Sequence, residues 1–163
     1  MNLEKRFTEI YNAHASKVFR LCMGYASGNE DLAKEWQQET FIKVWQHRKS
    51  FKGKSSIGTW IYRIAINICL ADLRKTKPHT QVNDKLVVSD ATEMGHTQKE
   101  EQLEQMYRCI DQLTQNNKTI ILMELEEIPQ TEIAETVGLT YGTLRTRLNR
   151  IRQSLLKCIT NGK

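Results

Sequence analysis

Apolar residues return every three or four positions along most of this chain, the pattern of helices that bury one face. Phe7, Ile10, Tyr11, Ala15, Val18, Leu21 and Cys22 carry it over residues 4–24. Gly24 and the Ser27-Gly28-Asn29 cluster end that helix. A second helix is expected from Asp31 to Arg48, with Trp36, Phe41, Val44 and Trp45 on its apolar side. After the polar stretch SFKGKSS at 50–56, Ser56 is placed to cap a third helix from Ile57 to about Lys75. Its stripe is Ile57, Trp60, Ile61, Ile64, Ala65, Ile68 and Ala71, while Ile66, Cys69, Leu70 and Leu73 lie off it. A helix apolar on more than one face belongs at the centre of a bundle. Trp60 reads as core; Phe51 and Tyr62 lie off the stripe and are expected to be more open.

Lys77-Pro78 closes the third helix, and residues of about 76–97 show no period and read as a linker. Within it, Leu86-Val87-Val88 leaves docking or no role equally open. Helical pattern resumes at Gln98 with Leu103, Met106, Tyr107, Ile110 and Leu113, and Lys118–Leu125 is strongly apolar. Pro129 opens a short helix over Gln130–Val137, Gly138 breaks it, and a last helix runs from Tyr141 to Ile159. The expected fold is all-α: two small helical domains, 1–77 and 98–163, joined by a flexible linker at 78–97, the C-terminal one containing a helix-turn-helix. A length of 163 residues accommodates two such units, each marginal because a 60-residue domain buries only about 60% of its unfolded surface.

Charge is placed unevenly. The net charge is +5, too modest to argue for nucleic acid by itself. Yet Lys43, Arg48, Lys49, Lys52, Lys54, Arg63, Arg74, Lys75 and Lys77 share their stretch with a single acid, Asp72. Arg145, Arg147, Arg150, Arg152, Lys157 and Lys163 follow Thr143 with no acid at all. Between these basic zones, Glu124–Glu135 holds five acids and no base. Cys22, Cys69, Cys109 and Cys158 form no C-x-x-C pair and sit in apolar helical pattern, so they read as reduced core residues of a cytoplasmic chain rather than metal ligands. Met1–Arg6 is polar, without the look of a signal peptide, and no apolar run is long enough to cross a bilayer.

Three constellations stand out. In IPQTEIAETVGLTYGTLRTRLNRI (Ile128–Ile151), two short helices flank a turn at Gly138, with Ile133, Ala134, Val137, Leu139, Leu144 and Leu148 as buried positions. On the second helix Gly142, Thr143, Thr146, Asn149 and Arg150 lie opposite the apolar face, and Arg145 and Arg147 flank it. Small polar residues approach base edges in a major groove while arginines reach phosphate or guanine; a plain hairpin with a solvated basic face fits the same spacing. Phe51–Lys77 joins a basic loop and aromatics to a helix flank carrying Arg63, Asn67 and Arg74, a combination suited to single-stranded nucleic acid. Third, Glu35, Gln38, Glu39, Ile42 and Gln46 form one polar face with an apolar residue in its middle, either a docking face or solvated surface.

QETFIKVW (Gln38–Trp45), FKGKSSIGTWIYRIAIN (Phe51–Asn67) and IAETVGLTYGTLRTRLNRIRQSL (Ile133–Leu155), in this order, resemble the extracytoplasmic-function sigma factors of bacterial RNA polymerase. The resemblance implies that the Glu35, Gln38, Glu39, Ile42 and Gln46 face docks on core polymerase. It implies that Phe51, Lys52, Lys54, Ser55, Ser56, Thr59, Arg63, Asn67 and Arg74 recognise and help open the downstream promoter element, holding a flipped base. It implies that Tyr141, Thr143, Arg145, Thr146, Arg147, Asn149 and Arg150 read the upstream element. The partners it implies are core polymerase, duplex and locally melted promoter DNA, and an anti-sigma factor that holds the two domains together, with no membrane contact. The family usually has Asp at Glu35, a small aliphatic pair at Trp36-Gln37, and Leu-Pro where this chain has Leu113–Asn117. No additional N-terminal regulatory region of the housekeeping type is expected before Phe7.

No nucleophile–base pair, phosphate-cradling glycine loop or metal cluster is evident, so the expected mechanism is binding, with no enzyme activity and no cofactor. A stand-alone DNA-binding regulator would use the same helix-turn-helix but leave the Glu35–Gln46 face and the basic loop without purpose. A nucleic-acid enzyme would need catalytic carboxylates or metal ligands near that loop, and Asp72 alone does not suffice.

Overall fold

The computed structural model describes residues 3–76 and 98–161, so the linker with Leu86-Val87-Val88 lies outside the described residues. Every regular element among them is a helix: α1 (Leu3–Tyr25), α2 (Glu30–Gln46), α3 (Ile57–Thr76), α4 (Gln98–Asp111), α5 (Gln115–Leu125), α6 (Gln130–Val137) and α7 (Tyr141–Thr160).

Short polar side chains set where these helices begin. Asn29 accepts from the Leu32 amide at 3.2 Å and starts α2. The Ser56 hydroxyl accepts from the Thr59 amide at 3.2 Å and starts α3. Thr114 and Thr140 do the same for α5 and α7 through the amides of Asn117 and Thr143. Each cap satisfies an N–H that the first helical turn leaves without a partner. Gly138 ends α6 with φ of 76°, the left-handed conformation that the helix-turn-helix corner demands. Gly24 does not end α1, which runs one residue further to Tyr25.

Helices α1–α3 form one bundle around Val18, Leu21, Cys22, Ala33, Val44, Ile61, Ala65 and Cys69. Helices α4–α7 pack around Ile110, Ile120, Met123, Ile133, Leu144, Leu148 and Ile151. Helix α3 is central, as its several apolar faces imply, but Tyr62 is buried at 3% exposure instead of open. Its ring stands edge-on to His14 with centroids 6.0 Å apart, in the α1–α3 seam.

The two bundles are packed against each other, and their cores merge into one cluster. The contact runs from α1 to α4 and α5. A Cβ built on Gly24 would collide with the Leu122 methyl groups, so glycine here lets α5 pack closely on α1. The Tyr107 ring of α4 lies over Gly28. Tyr25 and Thr119 share a buried hydrogen bond between their hydroxyls. Arg20 donates to the Glu126 carboxylate through three N–H···O contacts of 2.9–3.3 Å. The sequence pattern separates two domains; it does not foretell this shared interior.

The four cysteines fall into two classes. Cys22 and Cys69 are free and buried in the N-terminal core. Cys109 and Cys158 are disulfide-bonded, contrary to the reduced state read from sequence. Residues 49 apart on different helices give no local spacing signal, and only the packing of α4 on α7 brings them together.

Candidate polymerase and promoter interface

Helix α2 turns Ala33, Trp36, Thr40, Phe41 and Val44 inward. Glu35, Gln38, Glu39 and Gln46 are thereby left exposed on the other side, and Ile42 among them is 56% exposed. The face expected from the spacing thus exists as one surface with an apolar centre. Two of the residues that depart from family pattern, Trp36 and Gln37, have structural posts. Trp36 is buried and its indole N–H donates to Asp72 Oδ2 at 2.9 Å. Gln37 donates to the Ala15 carbonyl at 2.7 Å. Both tie α2 to its neighbours, α3 and α1.

The loop before α3 presents Lys52 and Lys54 to solvent around Gly53, whose φ of 76° turns the chain. Phe51 is half-buried against Trp60, with ring centroids 5.2 Å apart. Ser55 is half-buried, and Asn67 and Arg74 are exposed along α3. Thr59 is buried at 1% exposure, and its hydroxyl shares a 2.9 Å hydrogen bond with the Ser56 hydroxyl. Its place is inside the α3 cap.

Arg63 and Ser56 are occupied by the other half of the molecule. Arg63 Nε donates to Thr136 Oγ1 at 2.7 Å, and its Nη2 reaches the Glu132 carbonyl at 3.3 Å and Glu135 Oε1 at 3.5 Å. Ser56 Oγ donates to Glu132 Oε1 at 3.3 Å. The acidic stretch between the basic zones therefore has an internal use. Glu132 and Glu135 meet the α3 flank, Glu126 meets Arg20, and Glu124 accepts from Arg152. The Glu126 pair is the most enclosed of these on its acid side, and its hydrogen bonds raise the Arg20 pKa above its ordinary value. Arg20, Glu126, Tyr25 and Thr119 were missed by sequence reasoning; the run of acids was the one available signal.

On α7, Tyr141, Thr143, Arg145, Thr146, Asn149 and Arg150 are exposed on one side, and Arg147 is half-buried. Leu144, Leu148 and Ile151 are buried on the other side. The Arg145 guanidinium lies 5.8 Å from the Tyr141 ring centroid, which steadies the helix start. Ile133 and Ala134 of α6 are buried behind this helix. The arrangement is a helix-turn-helix with an exposed, basic second helix. It can enter a major groove, and the contacts it offers are hydrogen bonds and ion pairs, not bond-making. Among the described residues no group of three or more His, Cys, Asp or Glu is placed to hold a metal ion.

Residues 10–78 match the family described as Sigma-70 region 2, and residues 103–155 match Sigma-70, region 4. The chain is 30% identical over 173 residues to the ECF RNA polymerase sigma factor SigW of Bacillus subtilis (strain 168), with 93% of this chain and 87% of the relative covered. It belongs to the ECF sigma factors. The ECF RNA polymerase sigma-E factor of Haemophilus influenzae is 30% identical over 166 residues, covering 93% of this chain and 86% of that one. The fold is shared with the sigma factor RpoE of Bartonella quintana, solved in complex with the anti-sigma factor NepR. That likeness has a TM-score of 0.73 at 20% identity and covers 98% of this chain and 99% of the other. It is shared also with CnrH in complex with the cytosolic domain of CnrY, with a TM-score of 0.70 at 16% identity, covering 98% and 91%. As a sigma factor the protein directs RNA polymerase to promoters and takes part in transcription initiation. The family is one of DNA-binding regulators. No helix among the described residues is long and apolar enough to cross a membrane.

Proposed function

We propose that this ECF sigma factor docks on core polymerase through the α2 face of Glu35, Gln38, Glu39, Ile42 and Gln46. The observation that carries the assignment is Ile42, an aliphatic side chain 56% exposed at the centre of a polar helix face. A partner that covers Ile42 regains the apolar area now left in water. Residues 1–77 form the polymerase-binding and promoter-opening unit and 98–163 the unit that reads the upstream element. Phe51, Lys52, Lys54, Ser55, Ser56, Arg63, Asn67 and Arg74 serve the downstream element, and Thr59 acts through Ser56. Tyr141, Thr143, Arg145, Thr146, Arg147, Asn149 and Arg150 serve the upstream element. The protein makes and breaks no covalent bonds in this role, and it works where the polymerase is, in the cytoplasm.

In the packing described above, α6 holds Arg63 and Ser56 in hydrogen bonds, so those contacts must break before the two side chains can turn to DNA. An anti-sigma factor acts on this equilibrium by holding the halves together. One solved structure of the same fold, the sigma factor RpoE of Bartonella quintana, carries the anti-sigma factor NepR, which supports that reading.

The test is co-purification of the full chain with core RNA polymerase, wild type against a Gln38→Ala/Ile42→Arg double variant. Tight binding by the wild type and its loss in a folded variant are expected. Equal binding by both would remove the α2 face from the polymerase contact.

A further inference from the structure

We propose that Cys109 and Cys158 are a reversible redox modification site, a disulfide clasp that fastens the first helix of the promoter-reading half to its last. The two residues sit on α4 and α7 with their Cα atoms 5.9 Å apart, so the helices carry the bond without backbone movement. The loop they close contains α5, α6 and most of α7, which is the whole helix-turn-helix.

The other cysteine pair sets a contrast. Cys22 Sγ and Cys69 Sγ lie 3.8 Å apart and unbonded, both fully buried between α1 and α3. Burial, then the neighbouring Cys22, push the Cys69 thiol well above its ordinary pKa, so Cys69 is inert as a nucleophile. Cys158 is only half-buried near the end of α7, whereas Cys109 is 1% exposed beneath it. One sulfur is within reach of solution and the second waits behind it.

Leu103, Leu156 and Ile159 are 46%, 64% and 39% exposed, so apolar packing along the outer α4 and α7 surface is thin. A hydrogen bond from Gln105 Nε2 to the Ile159 carbonyl, at 2.9 Å, ties the two helices beside the disulfide. On its other side α4 carries Tyr107 against Gly28 of the N-terminal half. Oxidation therefore fixes one of the helices through which the halves touch, and reduction loosens it. That the bond is reversible rests on the cytoplasmic reading above, because disulfides in a thiol-buffered compartment are transient or redox-sensing.

The chemistry is thiol–disulfide exchange with a low-molecular-weight disulfide. The Cys158 thiolate attacks one sulfur of the oxidant and expels the first small thiolate, leaving a mixed disulfide. The Cys109 thiolate attacks the Cys158 sulfur and expels the second. Two protein thiols lose two protons and two electrons, and one small disulfide becomes two small thiols. Two equivalents of small thiol reverse the sequence.

The experiment uses the purified full chain, with neither polymerase nor promoter, so its failure leaves the sigma-factor assignment untouched. Samples equilibrated with glutathione disulfide or with dithiothreitol are alkylated after unfolding and mapped by mass spectrometry. Expected is loss of label from Cys109 and Cys158 alone after oxidation. The melting temperature should be at least about 5 °C higher in the oxidised chain, with slower amide exchange in α4. Cys158→Ser should abolish both redox differences; the dithiothreitol-treated wild type serves as the same test if the variant does not fold. Full labelling of all four cysteines after oxidation, loss of label at Cys22 and Cys69 instead, or equal melting of the two forms overturns the proposal.

Discussion

Replacing Arg20 with methionine isolates the energetics of the packing between the two halves. Glu126 is 8% exposed and depends on Arg20 for three N–H···O contacts of 2.9–3.3 Å. Arg20→Met keeps the aliphatic stem and strands the carboxylate. Breaking a fully buried ion pair from one side costs about 3–5 kcal/mol. The Arg20 side chain, however, is 55% exposed, so water already screens the pair and can reach the abandoned acid. The lower figure for hydrogen bonds to charged groups, about 2 kcal/mol, is then the better guide. For a chain of this size that lowers the melting temperature by roughly 4–8 °C. Urea unfolding of Arg20→Met, Glu126→Gln and the double variant gives the coupling directly, and the double should lose less than the sum of the singles by at least about 1 kcal/mol. Arg20→Met within 0.5 kcal/mol of wild type (roughly the scatter between neutral surface changes) would falsify the claim that this pair holds the halves together.

Three further outcomes are expected. Gly24→Ala forces the Leu122 methyl groups aside and should cost about 1–2 kcal/mol in urea, while adding Leu122→Val should recover part of it; full additivity would place the clash elsewhere. Burial, with help from Lys17, holds the His14 pKa below its ordinary 6.5. The unfolded chain then binds that proton more readily, so His14's contribution is complete above pH 6.5 and is lost as pH falls through that value towards the lower folded one. Unfolding of His14→Gln should show a flatter dependence between pH 7.5 and 5, and an unchanged slope would exclude His14 as its source. Finally, Thr146→Ala should shift base preference at one upstream position by about 1–3 kcal/mol, and indistinguishable preference across a site library would exclude Thr146 as a reader.

Most of the helical scaffold was legible because its signals are local. Ser56 as a cap, Pro129 and Gly138 as punctuation, and the Leu144, Leu148 and Ile151 stripe each act within a few residues of the boundary or face they define. The exposed face of α2 was legible for the same reason. What escaped was everything that joins residues far apart in the chain. Gly24 looks like a terminator, since a glycine placed for close approach to Leu122 is spelled the same way. Tyr62 falls outside the helical stripe and is buried by α1, an element 48 residues earlier at His14. Arg63 reads as a basic residue for nucleic acid, and nothing nearby announces Thr136 as its acceptor. The acids of Glu124–Glu135 were visible as a block, but their partners Arg20, Ser56, Arg63 and Arg152 are scattered over the whole chain.

The close fit of Gly24 to Leu122 and of Arg20 to Glu126 bears on how such a protein can be rebuilt. Promoter-reading segments invite exchange between relatives, because the linker offers a convenient point of recombination. A graft that brings in a foreign α5 replaces Leu122 and Glu126 while α1 keeps its notch and its guanidinium. The hybrid then carries a void or a collision at one contact and an unanswered charge at the other, although the exposed side of α7 is intact. Inheritance of the two segments is thus coupled at a contact inside the molecule, and a stable chimera should transplant positions 20 and 24 together with the C-terminal half.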